Sequence, residues 1–222
     1  MNKAIEYLKA KKRRIALSLL GVIICAISVG AFKLAALGVD PFQSLMSGLD
    51  SVIPIDFGTL YVIVNAILLL FSLIVDRHNI GIATFINLFL FGYITQFTLG
   101  ILQSIFPNPS IVFRAVCLLV AIVVICFGSA LYMTADLGVS TYDAVAIVFS
   151  GKWRLGKFKY VRICTDLICI IAGCALFLSA GNPISRVPEI AGIGTIITAF
   201  FMGPLIEFFN EKIARPMLKN EK

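Results

Sequence analysis

The sequence predicts an all-α integral membrane protein: six transmembrane helices arranged as a 3+3 inverted repeat, with a short amphipathic or re-entrant helix after the first span of each half. Three observations point to this. Six apolar runs are long enough to cross a bilayer, most basic residues collect on one side of those runs, and two sequence blocks recur later in the chain.

Hydrophobic residues make up 59% of the chain and charged residues 14%, against about 25% charged residues in ordinary soluble domains. A surface that poor in charge needs lipid. The 222 residues leave room for a single membrane domain, 1–222, with repeats over about 15–106 and 111–210 and tails at 1–14 and 211–222. A formal charge of +7 would suit nucleic acid. The basic residues, however, sit at the ends of apolar runs rather than along a polar face. The expected partner is therefore the bilayer and not nucleic acid, with homo-oligomerisation left open.

A helix needs about 20 mostly apolar residues to cross the hydrocarbon. The runs that qualify are Ile15–Leu37, Phe57–Val75, Ile80–Phe106, Ile111–Leu137, Tyr160–Ala180 and Ile190–Phe209. The first exceeds the 7–15 residues of a signal-peptide core, so it reads as a retained span. With both termini cytoplasmic, inner segments hold 16 of the 19 basic residues, leaving Lys33, Arg114 and Arg186 outside. That asymmetry follows the positive-inside rule. His78 sits in the inner turn Asp76–Asn79, and the prolines at Pro107–Pro109 and Asn182–Pro188 mark outer connections.

Self-similarity gives the repeat. Leu37-Gly38-Val39-Asp40-Pro41-Phe42 matches Leu137-Gly138-Val139-Ser140-Thr141-Tyr142, and Gly81-Ile82-Ala83-Thr84-Phe85 matches Gly192-Ile193-Gly194-Thr195-Ile196. Three spans per half is an odd number, so the second copy enters the membrane from the opposite face.

After each first span a short helix is expected. Asp40 with Pro41 and Gln43 supplies an N-cap, a proline at the first helical position and a capping-box partner; Ser140 and Asp143 repeat the arrangement. Phe42, Leu45, Met46 and Leu49 form an apolar stripe, as do Tyr142, Val145, Ala146 and Phe149. Such a helix can lie flat at the interface with its polar side in water. It can also dip between the spans, where protein or a hydrated cavity satisfies its backbone.

Polar groups inside the spans are the candidate site. Asn65 and Asp166 occupy similar depths in the second span of each half. An ionisable residue there is costly and should have a partner. Arg162, one turn earlier, supplies a structural ion pair with Asp166; the alternative is a bound cation or proton coupled to transport. Lys33 reads as an anchor that snorkels to the outer interface, with Asp40 as its expected partner. Thr84 with Asn87, and Thr195 with Thr198, share helical faces that suit either helix packing or a pore lining. The substrate or ion-binding set is thus Asp40, Gln43, Asn65, Asn87, Ser140, Asp143, Asp166 and Thr198.

Catalytic motifs are missing. The chain has no histidine cluster, H-E-x-x-H, G-x-S-x-G or P-loop, and its six cysteines lack C-x-x-C spacing. No enzyme activity, metal or cofactor is expected.

The Leu37–Pro41 and Leu137–Asp143 turns, with Gly192–Thr195, resemble the YczE/YyaS/YitT group of bacterial integral membrane proteins over almost the whole chain. The resemblance implies a bacterial cytoplasmic membrane and carries over no site residue. The residues themselves point to a small-molecule transporter or permease. The alternatives are a substrate-binding membrane subunit that needs an energising partner, or a structural or regulatory membrane protein.

Overall fold

The computed structural model describes residues 11–218, apart from the side chain of residue 159. Lys3, Lys9, Lys219 and Lys222, which contribute to the charge asymmetry, lie outside the described residues. Those described are helical and contain no strand. Among the described residues, six helices have the length and apolarity to cross a membrane.

The first half holds α1 (Lys12–Ala35), the short α2 (Pro41–Val52), α3 (Phe57–Val75) and α4 (Ile82–Ile105). The second holds α5 (Ile111–Thr134), the short α6 (Thr141–Ile147, continuing through a π-helical turn to Lys152), α7 (Phe158–Ser179) and α8 (Ile193–Phe209). A second π turn carries α8 on to Leu218. The Asn182–Pro188 connection is more ordered than its prolines suggested. It forms a 3-10 turn over Ile184–Glu189, and Arg186 pairs with Glu189 at 2.8 Å.

Helix α1 is the most buried span and packs against α5 and α4. Gly21 faces Gly128, with no room for a Cβ between the two backbones. Cys25 Sγ meets Ile125 O at 3.7 Å, Cys117 Sγ meets Ala31 O at 3.5 Å, and Arg114 donates to the carbonyls of Ala35 and Ala36. Numbers rise along α1 as they fall along α5, so these two spans run antiparallel. Arg114, assigned to the outer side from sequence, also serves as a cap for the last carbonyls of α1.

The other contacts come in matching pairs. Thr95 of α4 donates to Ala26 O of α1 at 3.1 Å, and Cys126 of α5 approaches Met202 O of α8 at 3.9 Å. The short helices exchange partners: α2 packs on α7 of the second half, and α6 packs on α3 of the first. Phe97, Val112, Ile74 and Phe200 are over two-thirds exposed and clothe the outside in apolar surface, as a lipid-facing wall requires.

Each short helix follows a left-handed bend. Ala36 and Asp136 have φ of 47° and 51°, and Gly38 and Gly138 have φ of 100° and 109°. The bends interlock with the opposite half. Gly194 N donates to Leu37 O at 2.7 Å and Val39 N to Ile190 O at 3.4 Å; Ala83 N donates to Leu137 O at 3.0 Å and Val139 N to Asn79 O at 3.1 Å. Gly81 N and Gly192 N each donate to the threonine three residues on, Thr84 and Thr195, both at 3.2 Å. The recurring blocks noticed in the sequence are therefore the two halves of one repeated joint.

Candidate functional site

The bends deliver the first turns of α2 and α6 to one place. Asp40 Oδ1 accepts from Gln43 N at 3.1 Å, and Ser140 Oγ accepts from Asp143 N at 3.1 Å, so both caps form. The reciprocal arm of each expected capping box does not. Gln43 Oε1 is buried without a hydrogen-bond partner, and Asp143 Oδ2 accepts from the Ser140 hydroxyl at 2.6 Å instead of from its backbone. Both side chains point into a cavity rather than back along the helix.

That cavity measures about 160 Å³. Asp40, Phe42 and Gln43 line it from α2; Ser140, Tyr142 and Asp143 line it from α6 at the corresponding positions. Asn65 and Tyr61 come from α3, Asn87 and Phe91 from α4, and Arg162 from α7. Cys25 on α1 with Ser129 and Tyr132 on α5 close it.

Depth is set by a few contacts. Thr141, the first residue of α6, donates to Asn65 Oδ1 in the middle of α3, while Asn65 Nδ2 donates to Tyr61 O at 2.8 Å. At the far end of the helix, Lys152 donates to Val75 O, the last residue of α3. Phe71 packs between, 5.9 Å from Phe149 and 5.8 Å from Trp153. Helix α2 runs along α7 in the same way, its Ser44 and Gly48 against Gly173. Ser44 and Gln43 are 0% and 3% exposed, so the polar residues of the first turn of α2 are inside protein.

Charge in the site centres on Arg162. It donates to Asp143 Oδ1 and pairs with Asp166 at 3.2 Å, and its guanidinium lies 4.3 Å from the Tyr142 ring centre. Tyr142 in turn donates to Asp166 Oδ1 at 2.7 Å. The Arg162–Asp166 pair read from helical spacing is present, but Asp143 is a second partner that no spacing rule exposes. Asp40 has no ion-pair partner within 4 Å among the described residues. Lys33, expected to reach it, stands over the Phe57 ring at 3.3 Å.

Six of the eight sequence-derived candidates line the cavity: Asp40, Gln43, Asn65, Asn87, Ser140 and Asp143. Asp166 sits behind the lining, bonded to Tyr142 and paired with Arg162, both of which face the cavity. Thr198 is buried in α8, donating to Thr195 O at 3.0 Å, and lies apart from the group. Thr84 also serves the joint, donating to Val139 O at 2.7 Å. Sequence reasoning missed the aromatic wall. Tyr142, Phe42, Tyr61 and Phe91 form a continuous series with ring centres 4.9, 6.1 and 5.2 Å apart. The only available signal was that an aromatic occupies the same place in both repeats, at Phe42 and Tyr142.

Six apolar helices around a polar, charged interior define a multi-pass integral membrane protein. The chain belongs to DUF6198, a family of unknown function, whose model matches residues 12–211. It is 27% identical over 216 residues to an uncharacterized protein of Haemophilus influenzae, covering 96% of this chain and 91% of that one. It is 22% identical over 203 residues to the uncharacterized protein YyaS of Bacillus subtilis, covering 91% and 95%. To the uncharacterized membrane protein YczE of the same organism it is 26% identical over 193 residues, covering 85% and 81%. The likeness to the YczE and YyaS group read from the glycine turns therefore holds. No solved structure matches the chain.

Proposed function

We propose that the protein is a transporter or permease for a small molecule, built as a 3+3 inverted repeat with α2 and α6 as re-entrant helices. In this reading it sits in a bacterial cytoplasmic membrane with both termini inside. The observation that carries it is the cavity itself, lined at three corresponding positions from each half: Asp40 and Ser140, Phe42 and Tyr142, Gln43 and Asp143. Short helices at matching places in inverted halves are where transporters of this architecture bind substrate.

Three further features support it. The equivalent spans α1 and α5 are antiparallel, as an upside-down copy requires. Helix α6 begins beside Asn65 at mid-span and ends beside Val75, so it follows half the membrane thickness rather than its surface. The buried Ser44 and Gln43 do not suit a helix lying flat with its polar side in water. Because each short helix packs on a span of the opposite half, the units that would rock against each other are α2 with α7 and α6 with α3. That motion alters the cavity's access without unfolding either helix. No bond-making step is required.

A thermal-shift screen of metabolites on the detergent-purified protein, followed by flux of the hits into liposomes, tests this. A ligand that binds the folded state must raise its apparent stability. The reading expects at least one stabilising compound whose uptake is abolished by Gln43→Leu. Hits that bind but never cross the liposome membrane would replace it with a substrate-capture subunit.

A further inference from the structure

We propose that the cavity ligand is a small protonated amine, held by the Asp40 carboxylate and the Gln43 amide against the rings of Phe42, Tyr61 and Phe91. This inference rests on the cavity being the ligand site of the transporter read above.

Charge selects the sign. Asp40, Asp143 and Asp166 face a single guanidinium, and Arg162 is already engaged by Asp143 and Asp166. An anion entering the cavity would meet an unpaired Asp40 with no free cation among the described lining residues. A cation would compensate it.

Hydrogen bonding selects the kind of cation. Asn65 Oδ1 accepts from Thr141, Asn87 Oδ1 accepts from Tyr61 at 3.2 Å, and both Asp143 oxygens are engaged. What remains is one oxygen of Asp40, the Tyr132 hydroxyl and Gln43 Oε1, the last two buried without a partner and Gln43 only 3% exposed. Three oxygens, only one of them a carboxylate, fall well short of the six or more that hard metal ions collect. They do match the N–H donors of an ammonium group. The aromatic faces serve the rest of such a ligand, through cation–π attraction beside the charge and apolar contact beyond it. A volume of about 160 Å³ is that of a cavity that accepts benzene, room for roughly six non-hydrogen atoms.

The test uses the purified full chain and two probes of equal size that differ in charge, n-butylammonium and n-butanol, with butyrate and potassium chloride as further arms. Isothermal titration should give butylammonium a Kd at least tenfold below that of butanol, with no heat from butyrate and no displacement by potassium. Asp40→Ser, which installs the cap that the second half uses at Ser140, should weaken butylammonium at least tenfold. Equal affinity for the two probes, preference for butyrate, or unchanged binding by a folded Asp40→Ser protein would overturn the proposal. The probe comparison is made on the natural sequence, so it decides even if the variant fails to fold. Amine binding without flux would leave this inference standing and remove the transporter reading. Flux of neutral or anionic solutes through the cavity, with no amine binding, would do the reverse.

Discussion

Phe42 and Tyr142 occupy the same position in the two sequence repeats, and they stack on each other with ring centres 4.9 Å apart and planes 21° apart. In the proposed inverted repeat, a residue that touches its own counterpart lies close to the two-fold axis relating the halves. Cys25 and Ile125 behave alike at 3.7 Å. Between these contacts lies the cavity. The stack should therefore couple the two halves. In a double-mutant cycle of Phe42→Leu and Tyr142→Leu, melting in detergent should show an interaction of about 0.5–1.5 kcal/mol, the usual range for aromatic pairs. Strict additivity would mean that the rings are merely adjacent.

The interlocking bends should be intolerant of any side chain. A Cβ on Gly38 would lie 2.5 Å from Gly192 N, and one on Gly138 would lie 2.5 Å from Gly81 N, at φ values that disfavour L-residues. Gly38→Ala and Gly138→Ala should each cost on the order of 2–4 kcal/mol, combining backbone strain with overpacking. Gly100 in α4 has open space around its Cβ position, so Gly100→Ala should be stabilising by about 0.5–1 kcal/mol. Comparing the melting temperatures of the three proteins checks the contrast.

Arg162 and Asp166 should not be equivalent. Removing Asp166 leaves Arg162 its bond to Asp143, whereas removing Arg162 leaves two carboxylates facing each other across Tyr142. Both partners are about a quarter to a third exposed, so solvent screening reduces the loss. Asp166→Asn should cost about 1 kcal/mol and Arg162→Leu about 3 kcal/mol, read from thermal melting. If Asp166→Asn costs as much as Arg162→Leu, Asp143 is not the principal partner.

Much of this architecture was legible before any coordinates. Hydropathy and length located the six spans because a bilayer imposes one narrow length range on every crossing; Phe57–Val75 was bounded to the residue. The glycine turns were legible as recurring blocks, since their conformation constrains residue type. What the repeats did not disclose is that each block docks on the complementary block of the opposite half, so that Gly38 meets Gly192 and Gly138 meets Gly81. Self-similarity gives correspondence and says nothing about contact. The same limit hid the bond between Arg162 and Asp143, nineteen residues apart on different helices. Tyr61, Phe91 and Tyr132 were invisible as site residues because an aromatic in an apolar span looks the same whether it faces lipid, core or cavity.

The inverted arrangement is tested most directly by accessibility from the two sides of the membrane. In a background with the six native cysteines replaced, Ile55→Cys reports the connection between α2 and α3, and Arg154→Cys the one between α6 and α7; both positions are exposed. An impermeant maleimide applied to right-side-out vesicles should label the first and spare the second, and inside-out vesicles should reverse the pattern. Labelling of both positions from the same side would contradict the inverted repeat and the shared cavity built upon it.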